Sequence, residues 1–190
     1  MQTENNITGA EFLSDLNVLL STSVGLNRNV KLALKKLGEH ERADQVYIVS
    51  INHDMTFTIS EEWTSTGESV FPESGEKRGF YYDRKLEQDL ERENYIYIRD
   101  INDVTNESLK NIMQVMGVNC AIFLPLYISS HLFSFLCLSR CHHEESWSGE
   151  EIAFLVQVAS VLSGALEKEL ILRKLVKHHA LYQDFIENRV

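Results

Sequence analysis

Cysteine is scarce in this chain: three residues in 190, at positions 120, 137 and 141. The number is odd and two of the three lie in apolar, strand-like runs, so they read as buried reduced thiols, not as a disulfide framework. Basic residues are few as well, 18 Lys and Arg against 28 Asp and Glu, for a formal net charge of -10 and a pI near 5.2. Binding a phosphate backbone needs a basic stripe, and none is present, so no nucleic-acid partner is expected. Long apolar runs are missing too. The longest, Cys120 to Ile128, is about half of what a membrane span needs and contains Pro125. No basic segment leads into an apolar one at the N-terminus, so neither a signal peptide nor a membrane partner is expected, and the predicted compartment is the cytoplasm. Gly-x-Ser-x-Gly, Walker and HExxH motifs are absent, as are internal repeats, and the chain is not expected to be an enzyme.

What is present is a sequence 44% hydrophobic, enough for a proper core in a chain of single-domain length. Residues 1–10 are polar and are expected to be disordered. Phe12, Leu13, Leu16, Leu19 and Leu20 follow at helical spacing. A second helix is predicted over 27–37, with Val30, Ala33, Leu34 and Leu37 as its buried stripe and Gly38 as its stop. Strands are predicted over 46–51 and 56–63, and alternation places Phe57, Ile59 and Trp63 on one face of the second. About 20 irregular residues come next, then a charged helix over 83–93, a strand over 95–99 and a helix over 106–116. Two apolar runs, 120–128 and 132–138, flank a Ser129-Ser130 turn. Ser148 with Glu151 makes a capping box that opens a helix of about 40 residues. Strands and helices mix without strict alternation, which fits an α+β fold with an antiparallel sheet packed against helices.

Several of these features, taken in order, resemble a GAF domain, the small-molecule sensing and dimerising module of signalling proteins. They are the early helix LNVLLSTSV, the strand pair ending in Glu62-Trp63 with Gly67 beyond, and the strand-turn YIYIRDINDV. After them come the helix ending Met116-Gly117-Val118, the Leu124-Pro125-Leu126 strand and the Trp147-Ser148 helix start. The resemblance covers residues 12–170 and implies a central antiparallel sheet. The N- and C-terminal helices would lie on one face, with loops and short helices over the other. It divides the chain into a sensor domain over 11–170 and a C-terminal signalling or dimerisation helix over 171–190. Small residues differ from the family pattern at Ser129, Ser130 and Ser134, a change of local packing and not of fold.

The resemblance also implies where a ligand would sit: on one sheet face, beneath residues 64–94 and 100–118. That region is aromatic, and rings with polar tips suit a flat or heterocyclic ligand. The candidate ligand-binding residues are Trp63, Phe80, Tyr82, Tyr95, Tyr97, Cys120 and Phe123. The same rings would equally serve to cover the sheet, and the pattern does not choose between the two. Ligand and cofactor identity stay open. Bilin-binding members use a Cys-His pair where this chain has Ser108-Leu109, so covalent bilin attachment there is excluded. Cys141-His142 lies beyond the family position. The Asn-Lys-Phe-Asp-Glu signature of cyclic-nucleotide binders is absent, and residues 54–119 lack the cysteines of free methionine sulfoxide reductase. A metal site at Cys141-His142-His143 is not expected, because adjacent residues on extended chain point apart. Heme is not expected either, since His40 and His53 fall in exposed-looking turns.

Beyond Glu169 the terminal helix carries Leu172, Leu175, His179, Tyr182 and Ile186, alternately three and four apart. This loose heptad seam is the candidate dimerisation surface; a helix folding back on its own domain is the alternative. The expected function is a sensory or regulatory domain that binds a small molecule or dimerises to control an attached or partner output, such as a histidine kinase of a two-component system. The alternative is a dimerisation or protein-interaction module that binds no ligand.

Overall fold

The computed structural model describes residues 8–22, 25–69, 80–81, 84–115, 117–140 and 146–187. The two apolar runs form a hairpin, β5 (Cys120–Ile128) and β6 (His131–Arg140), turning on Ser129 and Ser130. Both serines take positive φ, 50° and 64°, as a two-residue turn matched to strand twist requires. Next to β6 lies β1 (Gln45–Ile51), which pairs in turn with β2 (Thr56–Thr64). The edges are β3 (Phe80–Tyr81) beside β2 and β4 (Ile96–Ile98) beside β5. Every pairing is antiparallel, and the six strands run in the order β3-β2-β1-β6-β5-β4. The two-residue β3 falls inside the stretch expected to be irregular.

Helices α1 (Gly9–Ser21), α2 (Leu26–His40) and α5 (Gly149–Glu187) cover one sheet face. Phe12, Leu16, Val30, Leu34, Leu37, Leu155 and Leu162 there meet Val46, Ile48, Ile122, Leu124, Leu136 and Leu138 from the strands. Shorter helices, α3 (Arg84–Arg92) and α4 (Glu107–Val115), close the other face with Leu86, Leu90, Leu109 and Met113. This is the α+β arrangement that the sequence resemblance implies.

Three expectations are corrected. Gly9 and Ala10, assigned to a disordered arm, form the first turn of α1. Thr8 caps that turn through a reciprocal box with Glu11, which composition alone does not reveal; residues 1–7 lie outside the described ones. Gly38 does not stop α2, which continues to His40; it is buried beneath the ring of Trp63. Trp63 does not share a face with Phe57 and Ile59. The β1–β2 register slips between Ile48 and Val49, where Glu61 and Ile59 are the partners and Ser60 is the extra residue of a bulge. One extra residue inverts the alternation beyond it. Trp63 therefore packs with the helices, whereas Phe57 and Ile59 face α3 and α4.

The capping box at Ser148 forms as the sequence predicts: the Ser148 amide donates to Glu151 Oε2 at 2.6 Å and the Glu151 amide to Ser148 Oγ at 3.2 Å. Over Gly149–Lys177, α5 is long and apolar enough to cross a membrane by length and composition. Its stripe of Ile152, Leu155, Val158, Ala159 and Leu162 is buried against the sheet and helices, which is what a core helix of a folded domain does.

Candidate functional site

A cleft of about 700 Å³ opens along the β4 edge of the sheet, within the size range of small-molecule sites. Three consecutive segments build it. Helix α3 turns Leu86 and Leu90 into the core and leaves Lys85, Asp89 and Arg92 beside the opening. The run from Asn94 to Arg99 supplies the floor. The far wall is the 3₁₀ turn Ile101–Asp103 and the start of α4. Two caps hold that wall: Asp100 Oδ1 accepts from the Asn102 amide at 2.8 Å, and Asn106 Oδ1 accepts from the Leu109 amide at 2.9 Å.

The charges around the cleft divide into paired and unpaired groups. Arg92 is held by Asp89 at 3.4 Å and Glu93 at 3.0 Å. Among the described residues Lys85 and Arg99 form no ion pair, and Asp103 is the unpaired acid on the rim. Arg99 Cζ lies 5.6 Å from the centroid of the Tyr97 ring, in cation–π range.

The candidate ligand-binding residues do not form one group. Tyr95, 40% exposed, and Tyr97 line the cleft, although the Tyr97 ring packs against the helix-side core, at the edge where the two faces meet. Phe123 belongs to the same sheet face but is buried at its centre, with its ring 5.9 Å from Phe135, which in turn is 6.0 Å from Phe57. Those three rings fill the middle of the face, and this cleft lies at its edge. Trp63 and Cys120 are on the opposite face, against the helices, and do not line this cleft. Tyr82 and the side chain of Phe80 lie outside the described residues, as do residues 141–145 with their Cys-His pair. Sequence reading missed Tyr47, wholly buried on the cleft-side face of β1. A strand buried on both faces has no alternation to mark such a residue. It also missed Arg99 and Lys85, since ion pairing is not visible in a linear pattern.

Tyr97 joins the cleft to the start of α5. Its hydroxyl accepts from the Trp147 amide at 3.0 Å, and the two rings meet edge to face at 5.9 Å. The guanidinium of Arg140 stacks on the other side of this arrangement, 4.3 Å from the Trp147 ring. Arg140 donates to the Glu41 carbonyl at 2.8 Å and reaches Glu151 Oε1 at 3.4 Å. It thereby ties the end of α2 to the first turn of α5. Burial pushes the Cys120 thiol up, although Tyr97 bonds to it, so the thiol keeps its proton; burial likewise pushes the Tyr97 phenol up.

Glu41 completes this cluster. It is 4% exposed, with Oε1 3.0 Å from His40 Nδ1 and Oε2 without a hydrogen-bond partner among the described residues. The His40 ring packs against Phe12 and Phe154, at 4.8 Å and 5.1 Å, and closes the last turn of α2. Burial, opposed by the bond to His40, raises the Glu41 carboxyl above its ordinary value of 4.5. A raised folded-state pKa favours the fold fully below pH 4.5 and loses that contribution as pH rises through the folded value. Glu41→Gln, which keeps an oxygen for His40, is therefore expected to be more stable than the parent at pH 7. Urea unfolding across pH 4–7 should show the difference shrinking toward the acid end; a constant difference would contradict the assignment to ionisation.

The comparisons with known proteins agree with this architecture. No family model matches the sequence. A curated relative, the methanogenesis regulatory histidine kinase FilI of Methanothrix harundinacea, is 24% identical over 160 residues, 80% of this chain. The chain spans only 18% of that relative's length. Among solved structures, the phycocyanobilin-bound GAF domain of a cyanobacterial phytochrome superposes with a TM-score of 0.72 at 14% identity, covering 86% of this chain and 96% of that one. The blue-light-absorbing form of the PixJ GAF domain of Thermosynechococcus elongatus gives 0.64 at 18% identity, covering 88% and 95%. With six strands in this order, helices on both faces and these superpositions, the chain has the fold of a GAF domain.

Proposed function

We propose that this chain is a cytoplasmic sensory or regulatory module, without catalysis of its own, that binds a small molecule in the β4 cleft. It passes that state through α5 to an attached or partner signalling output such as a histidine kinase. The observation that carries the reading is the division of α5. Its first half is buried in the domain, whereas Ile171, Leu175 and Val176 beyond it are 51%, 60% and 70% exposed. Lys168 and Arg173 fasten its middle to Ser21 and Asn27 at the α1–α2 junction. The segment from Lys174 to Glu187 extends past these ties. Leu175 and Val176 on this extension are apolar side chains left exposed, which a partner helix would cover.

The partner favoured here is a second copy of this chain, paired along the helix that carries Leu172, Leu175, His179, Tyr182 and Ile186. Leu172 is half-buried against the domain, and Leu175 and His179 are exposed; the side chains of Tyr182 and Ile186 lie outside the described residues. A chain ending at Glu169 is expected to fall from dimer to monomer mass in light scattering. An unchanged dimer would place the interface elsewhere. The relative's role as a histidine kinase supports an output of that class.

The competing reading is an interaction module that binds no small molecule, and the Phe57–Phe135–Phe123 filling of the sheet face favours it. Thermal-shift screening with nucleotides, amino acids and heme separates the two. A rise in melting temperature from any of them supports sensing, and its absence across the set supports the competing module. The bilin of the photoreceptor neighbours does not transfer as a covalent group. Leu109 stands where the family's histidine would be, and its side chain is buried in the core beneath α4.

A further inference from the structure

We propose that the cleft takes an organic anion anchored on Arg99, and that Tyr97 is the positioning residue that conveys its arrival to the start of α5. The inference rests on the reading of the cleft as a ligand site and names both its ligand class and its coupling. In a chain of net charge -10, the cleft presents two unpaired cations, Lys85 and Arg99, against one unpaired acid among the described residues, Asp103. Arg92 contributes no attraction: with both Asp89 and Glu93 on it that trio is net negative by one, so the charges lining the cleft balance and the attraction for an anion is local to Lys85 and Arg99. A guanidinium recognises a carboxylate through two parallel hydrogen bonds, so Arg99 is the stronger anchor. The exposed Tyr95 ring supplies an aromatic surface beside it.

The path from Arg99 inward is a continuous chain of ring and guanidinium contacts. Arg99 lies 5.6 Å from the Tyr97 centroid, Tyr97 meets Trp147 at 5.9 Å, and Trp147 meets Arg140 at 4.3 Å. Arg140 then reaches Glu151 in the first turn of α5 at 3.4 Å. An anion that draws the Arg99 guanidinium off the Tyr97 ring removes a cation–π contact from one end of this path. Tyr97 is the element that can respond, since its ring faces Arg99 and its hydroxyl holds the Trp147 amide at 3.0 Å. Ligand binding then shifts α5 only to the extent that the two arrangements of Tyr97 differ in affinity for the anion.

The test uses benzoate and its neutral counterpart benzamide as probes of the full-length, ¹⁵N-labelled chain. At this size millimolar affinity is expected. Benzoate should shift the amides of Tyr95–Arg99 and, in step with them, those of Trp147–Glu151. Benzamide should bind at least about fivefold more weakly, and Arg99→Gln should abolish the preference for the anion. Tyr97→Phe should retain benzoate shifts in the cleft and lose the benzoate-induced part at Trp147–Glu151, which a merely structural change would leave in place. Equal binding of the two probes in the cleft would overturn the anion assignment while leaving the cleft as a ligand site. Transmission that survives Tyr97→Phe would overturn the coupling role. No response of the cleft amides to either probe would overturn the proposal together with the reading beneath it.

Discussion

Gly38→Ala is expected to destabilise this chain by about 2 kcal/mol, the range of a core overpacked by one methyl. The same change in an open helix interior stabilises by about 0.5–1 kcal/mol, so the sign itself is diagnostic. A Cβ at Gly38 would stand 1.9 Å from Cζ3 and 2.2 Å from Cε3 of Trp63, rigid ring atoms that can clear it only if the whole indole moves. Gly164 in α5 is the control, since a Cβ there meets nothing within 4 Å. Its replacement by alanine should stabilise by about 0.5–1 kcal/mol. In a Trp63→Val background, Gly38→Ala should change sign and behave like the control. Urea unfolding of the single and double variants reads both effects. A Gly38→Ala loss that persists when the indole has been removed would mean that Trp63 is not the obstacle.

Trp147→Ala is expected to cost about 4 kcal/mol, as for other buried tryptophans. That is a large share of the roughly 5–15 kcal/mol that holds a domain together. Trp147 is 2% exposed and sits between Tyr97 and Arg140 where β4, β6 and the start of α5 converge. Alanine would leave a cavity and would leave a buried guanidinium without its aromatic face. Trp147→Phe is expected to cost only about 1 kcal/mol. Phenylalanine keeps a ring over Arg140 and removes the indole Nε1–H, which is buried without a partner among the described residues. The same urea titrations decide it. Equal losses for the two variants would show that the fold needs the whole indole and not merely a ring at this place.

Local patterns legible in the sequence became the corresponding local structures. The hairpin of residues 120–140 follows from two apolar runs and a small-residue turn, and α5 begins where Ser148 and Glu151 cap it. The amphipathic stripe of α2 is buried at Val30, Leu34 and Leu37, as its spacing predicts. Of the aromatic candidates whose side chains are described, Tyr95 and Tyr97 line the cleft. Trp63 was misplaced because a bulge is a property of two paired strands, and nothing in the β2 sequence announces that Ser60 lacks a partner across the ladder.

The sequence by itself determined the helices, the hairpin and the order of elements that resembles a GAF domain, because periodicity and capping act over a few neighbouring residues. Only the tertiary structure decided which face each ring occupies, which cations stay unpaired in the cleft, and that Tyr97 reaches the Trp147 amide 50 residues away. Those outcomes depend on register and on distant segments meeting, and neither is encoded in any one stretch of the chain.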